Sequence, residues 1–523
     1  MEVLSLPLEI QVMIIARVSS IGDLAALSQS CRSIHRLCDM KTRERFYQIR
    51  VGQKDSSINK TFDLVMEILK NPKLGNYVRE IVQTRQPSME HHYVQTAEQC
   101  DLSVGDRDLL HVAVRKAGFA GSQESAVLNM LMQNTKKPPG ETSEPFRFPN
   151  TAYGFDHGQI HGIFIAQALA AILISVSPNL ESLVMTQPFS VFSGFYRGRE
   201  RPQEDVVQFP LDRLLRRANA KPASTPYLHN LRKVYMIVDD ENMDDRFYMP
   251  MDFLECATLF DCLPSIESIS TDALCDDEEG EARVVLEPRS SNISRFQIHH
   301  SALPSNFLVS LIQSCKVLRE FQYSMGGRCV LGGWFAPFDA KTFIKSICPH
   351  KDTLEILDID AECNMHYFNP SCFEEDRVDQ EIDKQQRAHE SDIEDDERQM
   401  LQSLSSNSGS LKEFRALKRL SVGIGFLVYF AMGVRENNEP TQPFLLPEAL
   451  PESLEYLCIR GYEKGKCKKW DAHIDALVAS FVSGSSGIKE ITGIEVTIPN
   501  SEDVDDPDDD KDLFNATEVE ERL

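Results

Sequence analysis

The sequence predicts a chain of the α+β to α/β class, in which a module of three short helices opens onto an irregular solenoid of strand–helix units. Three observations carry that expectation. The first fifty residues hold apolar side chains at helical spacing, a short apolar motif recurs nine times between residues 180 and 491, and helical periodicity fills several of the gaps between copies. At 42% hydrophobic and 26% charged over 523 residues, the composition is that of a globular protein able to bury a large core.

The helical module is read from its N-terminus. Pro7 stands where a first helical turn begins, its ring fixing φ and its missing amide proton costing nothing there. Ile10, Met13, Ile14 and Val18 follow on one face, and Ser19-Ser20-Ile21-Gly22 breaks the pattern. Asp23 opens a second helix through Leu24-Ala25-Ala26-Leu27, its carboxylate at the positive end of the helix dipole. A third stretch, 32–37, has Ile34 and Leu37 on one side and Arg32 and Arg36 on the other. Small domains cover only about 60% of their unfolded surface. Part of this module's apolar surface is therefore expected to meet a partner.

Leu6-Pro7-Leu8-Glu9-Ile10, Asp23-Leu24-Ala25-Ala26-Leu27 and Cys31-Arg32-Ser33-Ile34-His35-Arg36-Leu37 resemble an F-box in order and spacing. Ile34 stands where the family usually has tryptophan and Phe46 where a second one is common, and both remain apolar. Beyond the polar residues 53–59, the stripe Phe62, Val65, Met66 and Leu69 is closed by Asn71-Pro72, and 74–82 reads as a turn into a strand. That succession resembles the link after the box in many fungal F-box proteins. The resemblance implies that residues 1–50 dock on a Skp adaptor through Leu6, Pro7, Ile10, Ile14 and Leu24, and reach a cullin through it. Residues 51–75 would be a helical linker.

The recurring motif is an apolar residue, two mixed ones, a second apolar residue, a spacer and a third. It starts at Leu180, Leu231, Ile293, Leu318, Leu354, Leu417 and Leu454, with partial copies at Ile266 and Ile488. Its second and third apolar positions alternate as in a strand, while 163–174, 306–315, 339–347 and 474–482 read as helices. A short strand with a return helix is the leucine-rich-repeat unit. Copies start 25 to 63 residues apart, against about 20 to 29 in regular repeats. The expectation is a degenerate, leucine-rich-repeat-like substrate-binding domain over 76–500, with an ordinary α/β domain of parallel strands as the alternative. The longest gap holds an acidic, serine-rich insertion, 374–410, expected to be disordered, as is the acidic tail 501–523.

The net charge of −25 is local: 374–397 and 501–523 carry −9 each and 272–283 carries −5, which leaves −2 for the rest. A nearly neutral body has no basic stripe for phosphates, so no nucleic-acid partner is expected. The longest apolar run is the fourteen residues 163–176, interrupted by Gln167, where a membrane span needs about twenty. No membrane partner is expected. The N-terminus has no basic stretch before an apolar one, so no secretory signal is read there and the protein is expected in the cytoplasm and/or nucleus. Thirteen cysteines without a Cys-x-x-Cys argue for reduced thiols and no structural zinc.

Catalytic motifs are absent. Gly326 to Gly333 lacks the lysine of a phosphate loop, His157 and His161 lack the glutamate of a metalloprotease, and the pairs His91-His92 and His299-His300 diverge in direction. Gly484-Ser485-Ser486-Gly487 is one residue short of a nucleophile elbow. No catalytic residue, metal or cofactor is assigned. The resemblance implies a substrate-receptor subunit of a Skp-cullin-F-box ubiquitin ligase, a two-ended adaptor that holds a protein substrate. The alternatives are a scaffold that binds Skp without a cullin and an enzyme forming a thioester on one of its own cysteines. Glu355, Asp358, Lys418 and Glu455 are expected on the exposed surface of the repeats.

Overall fold

The computed structural model describes residues 6–18, 21–52, 55–84, 100–132, 157–189, 209–238, 246–275, 286–329, 338–365, 403–404, 406–434, 444–484 and 487–502. The chain opens with four helices, α1 (Leu8–Arg17), α2 (Ile21–Ser30), α3 (Arg32–Cys38) and α4 (Met40–Tyr47). The fourth was not expected. Further helices are α5 (Asp55–Lys70), α6 (Val104–Lys116), α7 (Ser122–Met132), α8 (His157–Val176), α9 (Pro210–Ala220), α10 (Phe253–Ala257), α11 (Ser305–Ser314), α12 (Ala340–Ile347), α13 (Ile424–Met432), α14 (Leu446–Ala449) and α15 (Lys468–Val482).

Among the described residues, thirteen strands alternate with them: β1 (Gln48–Val51), β2 (Glu80–Gln83), β3 (Ser182–Thr186), β4 (Lys233–Ile237), β5 (Met249–Pro250), β6 (Ser268–Asp272), β7 (Leu274–Cys275), β8 (Arg295–His299), β9 (Glu320–Ser324), β10 (Ile356–Asp360), β11 (Arg419–Gly423), β12 (Tyr456–Arg460) and β13 (Glu490–Thr492). The short pair β5–β7 stands apart, and the other eleven form one parallel sheet whose order is the order of the chain. The fold is therefore mixed α/β. A parallel neighbour requires a crossover rather than a hairpin, and the inserted helices supply it. Every copy of the motif found in the sequence is a strand, beginning two residues after its first apolar residue.

The pairing is in register from end to end. Ile49, Ile81, Leu183, Val234, Ile269, Phe296, Phe321, Leu357, Leu420, Leu457 and Ile491 stand side by side on neighbouring strands. All but the last are buried in one continuous core with the helices. Three residues earlier, the first apolar residue of each motif, Leu180 through Leu454, is buried as well.

Between those two rows runs a third. Arg79, Glu181, Arg232, Glu267, Ser294, Arg319, Glu355, Lys418, Glu455 and Lys489 each donate a main-chain N–H to the carbonyl of the preceding member, 2.7–3.0 Å away, with Tyr47 accepting from Arg79. Their side chains alternate in sign and pair along the rim: Arg79–Glu181 at 3.0 Å, Arg232–Glu267 at 3.7 Å, Arg319–Glu355 at 2.8 Å, Lys418–Glu355 at 3.0 Å and Lys489–Glu455 at 2.7 Å.

Three boundaries differ from those expected. β1 begins within 1–50 and ends at Val51, so the helical module runs directly into the sheet. Within the segment expected to be a helical linker, α5 packs on β1, α6 and α8, with Val65 and Ile68 in the main core. Residues 403–404 and 406–410 belong to the body, since Leu404 is buried, Asn407 donates from Nδ2 to the carbonyl of Lys345 at 3.0 Å, and Ser410 with Glu413 forms a reciprocal cap. The rest of the acidic insertion and the tail beyond Glu502 lie outside the described residues. Among the described residues, no helix is long and apolar enough to cross a membrane.

Burying a leucine contributes about 1.5–3 kcal/mol, whereas an exposed ion pair is worth about 0–1 kcal/mol, so the apolar row rather than the rim holds the sheet. We expect Leu357→Ala to cost about 2–5 kcal/mol in denaturant unfolding and Lys418→Ala less than about 1 kcal/mol. The reverse ranking would refute this assignment of roles.

Candidate functional site

The helical module has a core of its own. Ile15, Leu24, Ile34 and Cys38 are buried together, with Val18, Leu27, Cys31, Leu37 and Met40 half-buried around them, apart from the main core. Helix α3 is capped by the Cys31 Sγ, which accepts from the Ile34 amide at 3.5 Å. The small core takes in only one side of α1. Gln11 and Ile15 point inward, the former donating from Nε2 to the Leu6 carbonyl at 2.7 Å. The rest of α1 leaves Leu8 (58% exposed), Ile10 (40%), Val12 (46%), Met13 (57%) and Ile14 (37%) open.

Of the five residues expected to contact an adaptor, Pro7, Ile10 and Ile14 are exposed and Leu6 is half-buried. Leu24 differs. At 4% exposure it lies inside the small core, so it supports the face from below. Ile34, in the usual tryptophan position, is likewise internal. Phe46 belongs to the main core, and Arg43 is fixed beside it, its guanidinium 4.5 Å over the Tyr77 ring and its Nε donating to the Cys38 carbonyl at 2.7 Å. Helix α4 thereby joins the module to the sheet.

A second surface is the sheet face opposite the main core. It is apolar at one end, where Val82 and Val184 are buried, and polar thereafter. Glu320 accepts at Oε1 from Gln297 at 2.8 Å and Gln322 at 2.6 Å, with Arg295 at 3.5 Å. His300 Nδ1 meets Asp272 Oδ1 at 2.8 Å. Arg460 reaches Asp358 at 2.9 Å and Asp360 at 3.3 Å, and Asp360 also accepts from the Ser501 amide and hydroxyl at 2.9–3.2 Å. Residues 498–502 thus cross the ends of the strands, and Gly461 donates to the Ile498 carbonyl at 2.8 Å.

Of the side chains expected on the repeat surface, Asp358 is on this face. Glu355, Lys418 and Glu455 are on the rim instead, where with Arg319 and Arg415 they line an open pocket of about 410 Å³.

The buried titratable groups are held by structural bonds. Burial pushes the Cys315 and Cys348 thiols up to about 12, which disfavours the thiolate a nucleophile needs. His350 accepts from the Leu318 amide at 3.2 Å and lies 3.3 Å from the Ile312 carbonyl through its other nitrogen, while burial lowers its pKa. Glu362 accepts from the amides of Gly425 and Phe426, both at 3.0 Å, at the start of α13. A Cβ at Gly423 would run into that carboxylate, so the position requires glycine. Burial pushes Glu362 up to about 7, against the pull of the two amides.

Among the described residues, no group of three or more His, Cys, Asp or Glu is arranged to hold a metal ion. His91 and His92, the side chains of His157 and His161, Gly333, Ser485 and Ser486 lie outside the description. No protein-family model matches the chain, and no curated protein is similar to it.

We expect Ile10→Ser combined with Met13→Ser to leave the melting temperature within about 2 °C, because both side chains face solvent, while Ile15→Ala costs about 2–5 kcal/mol by emptying the small core. Equal losses would show α1 packed the other way round. A second expectation concerns pH. Glu362 has a folded pKa of about 7 against an ordinary 4.5. Its contribution is therefore fully present below pH 4.5 and is lost as the pH rises through 7. Unfolding measured across that window should show wild type losing stability relative to Glu362→Gln, and parallel curves would refute the shift.

Proposed function

We propose that this chain is the substrate-receptor subunit of a Skp-cullin-F-box ubiquitin ligase. One observation carries the reading above the sequence resemblance. The uncovered apolar stripe of α1 lies on a small helical module with its own core, in the segment where the resemblance implies the adaptor contact. Five exposed large apolar side chains within seven residues of one helix, about two turns, make an apolar surface of the kind that marks an interaction site.

In this reading Pro7, Ile10 and Ile14, with the edge of Leu6, bury against the Skp adaptor, and Leu24 sets the height of α1 over its neighbours. Parallel strands in chain order with helical returns support the finer description of the sheet as a leucine-rich-repeat-like solenoid. The polar sheet face suits a protein substrate, since Arg295, Lys233 and Arg419 are interleaved with Glu320, Asp358 and Glu490 and give no single sign of charge. The chain carries out no bond-making of its own. Holding a substrate beside the ubiquitin-loaded enzyme raises the effective concentration of its lysines. Such a role belongs in the cytoplasm or nucleus.

Pro7→Ala combined with Ile10→Ala should weaken adaptor binding by thirty-fold or more, from about 2–4 kcal/mol of lost apolar contact, with the melting temperature of the main body unchanged. Calorimetric titration with purified Skp adaptor measures this. Undiminished binding by the double variant would sink the proposal, and co-purification with Skp but never with a cullin would favour a scaffold.

A further inference from the structure

The buried charges of the sheet face and its edges meet counterparts. Glu255 has Arg216 at 2.6 Å, Glu320 has two glutamine amides, Asp360 has Arg460 and Ser501, and Glu362 has two main-chain amides. Arg328 does not. It is 2% exposed, and its Nε and Nη2 find no hydrogen-bond partner among the described residues. A buried N–H left unpaired keeps the full cost of its lost hydration, the more so on a charged group, so this arrangement is costly unless something completes it.

The loop carrying Arg328 is not slack. After β9, Met325 donates to the Asp360 carbonyl at 2.8 Å, Gly326 to the Tyr248 hydroxyl at 3.0 Å and Gly327 to the Glu502 carbonyl at 2.9 Å. Cys329 donates to the Arg246 carbonyl at 2.9 Å, and Tyr248 returns a bond to Cys329 at 3.1 Å. Gly326, at φ 96°, turns the chain where a side chain would strike Ser501 and Glu502. Both flanks of Arg328 are thus pinned along the main chain.

We propose that the Nε–Nη2 edge of Arg328 receives an oxyanion, a carboxylate or a phosphoryl group. That edge offers two parallel N–H donors in one plane, the geometry that accepts two oxygens of such a group side by side. The neighbourhood agrees. Tyr235 stands near enough for the Arg328 charge to act on its hydroxyl, and the nearby carboxylate, Asp272, is already matched by His300. Because the edge is closed to solvent, the anion enters with a local opening of the chain around it. The inference does not depend on α1 docking, and its failure would leave that reading untouched.

The test is the melting temperature of the full chain against inorganic phosphate, acetate and, at matched ionic strength, chloride, for wild type, Arg328→Met and Arg328→Lys. Wild type should be stabilised saturably by phosphate or acetate and not by chloride, and the oxyanion that saturates at lower concentration assigns a phosphoryl or a carboxylate ligand. Arg328→Met should melt no lower than wild type without oxyanion, since it removes an unpaired buried charge, and should not respond to either. Arg328→Lys, which keeps the charge and loses the two-pronged edge, should need at least ten-fold more anion. Wild type unmoved by both oxyanions, or a response equal in Arg328→Met, would overturn the assignment. If Arg328→Met does not fold, an unaltered response in Arg328→Lys overturns it alone.

Discussion

Everything in this molecule hangs on the stacking of one strand position on the next. The in-register row from Ile49 to Ile491 and the carbonyl-to-amide chain from Tyr47 to Lys489 are two views of a single constraint, a constant step between neighbours. The apolar row supplies most of the energy, and the rim fixes the phase. A slip by one residue would exchange the buried and exposed faces of a strand and part the ion pairs of the rim. The ion pairs are worth little singly. Their alternation keeps opposite charges side by side in the observed register.

Because the step is constant on the strand side only, the return side is free to vary. The chain takes 25 residues from one strand to the next at its tightest and 102 between β2 and β3, where α6, α7 and α8 intervene. Helix α13 shows how the return is made secure without amphipathic patterning. It is buried on all sides, so its first amides meet no water, and the Glu362 carboxylate accepts two of them.

The sequence displayed the strands because each carries the same alternation of buried and exposed positions. It did not display β1, since Gln48–Val51 follows α4 without a turn residue and contains Arg50. Leu24 was assigned to the adaptor contact by resemblance alone, and a resemblance does not record that the side chain is 4% exposed inside the small core. Of the α1 stripe it found Ile10, Met13 and Ile14 together, and the geometry adds Leu8 and Val12. Helix α13 escaped notice because Ile424–Met432 is apolar throughout and has no periodicity to read. Arg328 was legible only as part of a glycine-rich turn. The burial of a cation depends on what the chain folds over it, which no local pattern records.

The passage from α4 into β1 has a mechanical meaning. Gln48 follows Tyr47 with no intervening residue, Phe46 is sunk in the main core, and Tyr47 accepts the first bond of the rim. There is no hinge between the small module and the sheet. Whatever grips the outer side of α1 therefore also sets the bearing and distance of the polar strand face, as a handle sets the angle of its blade.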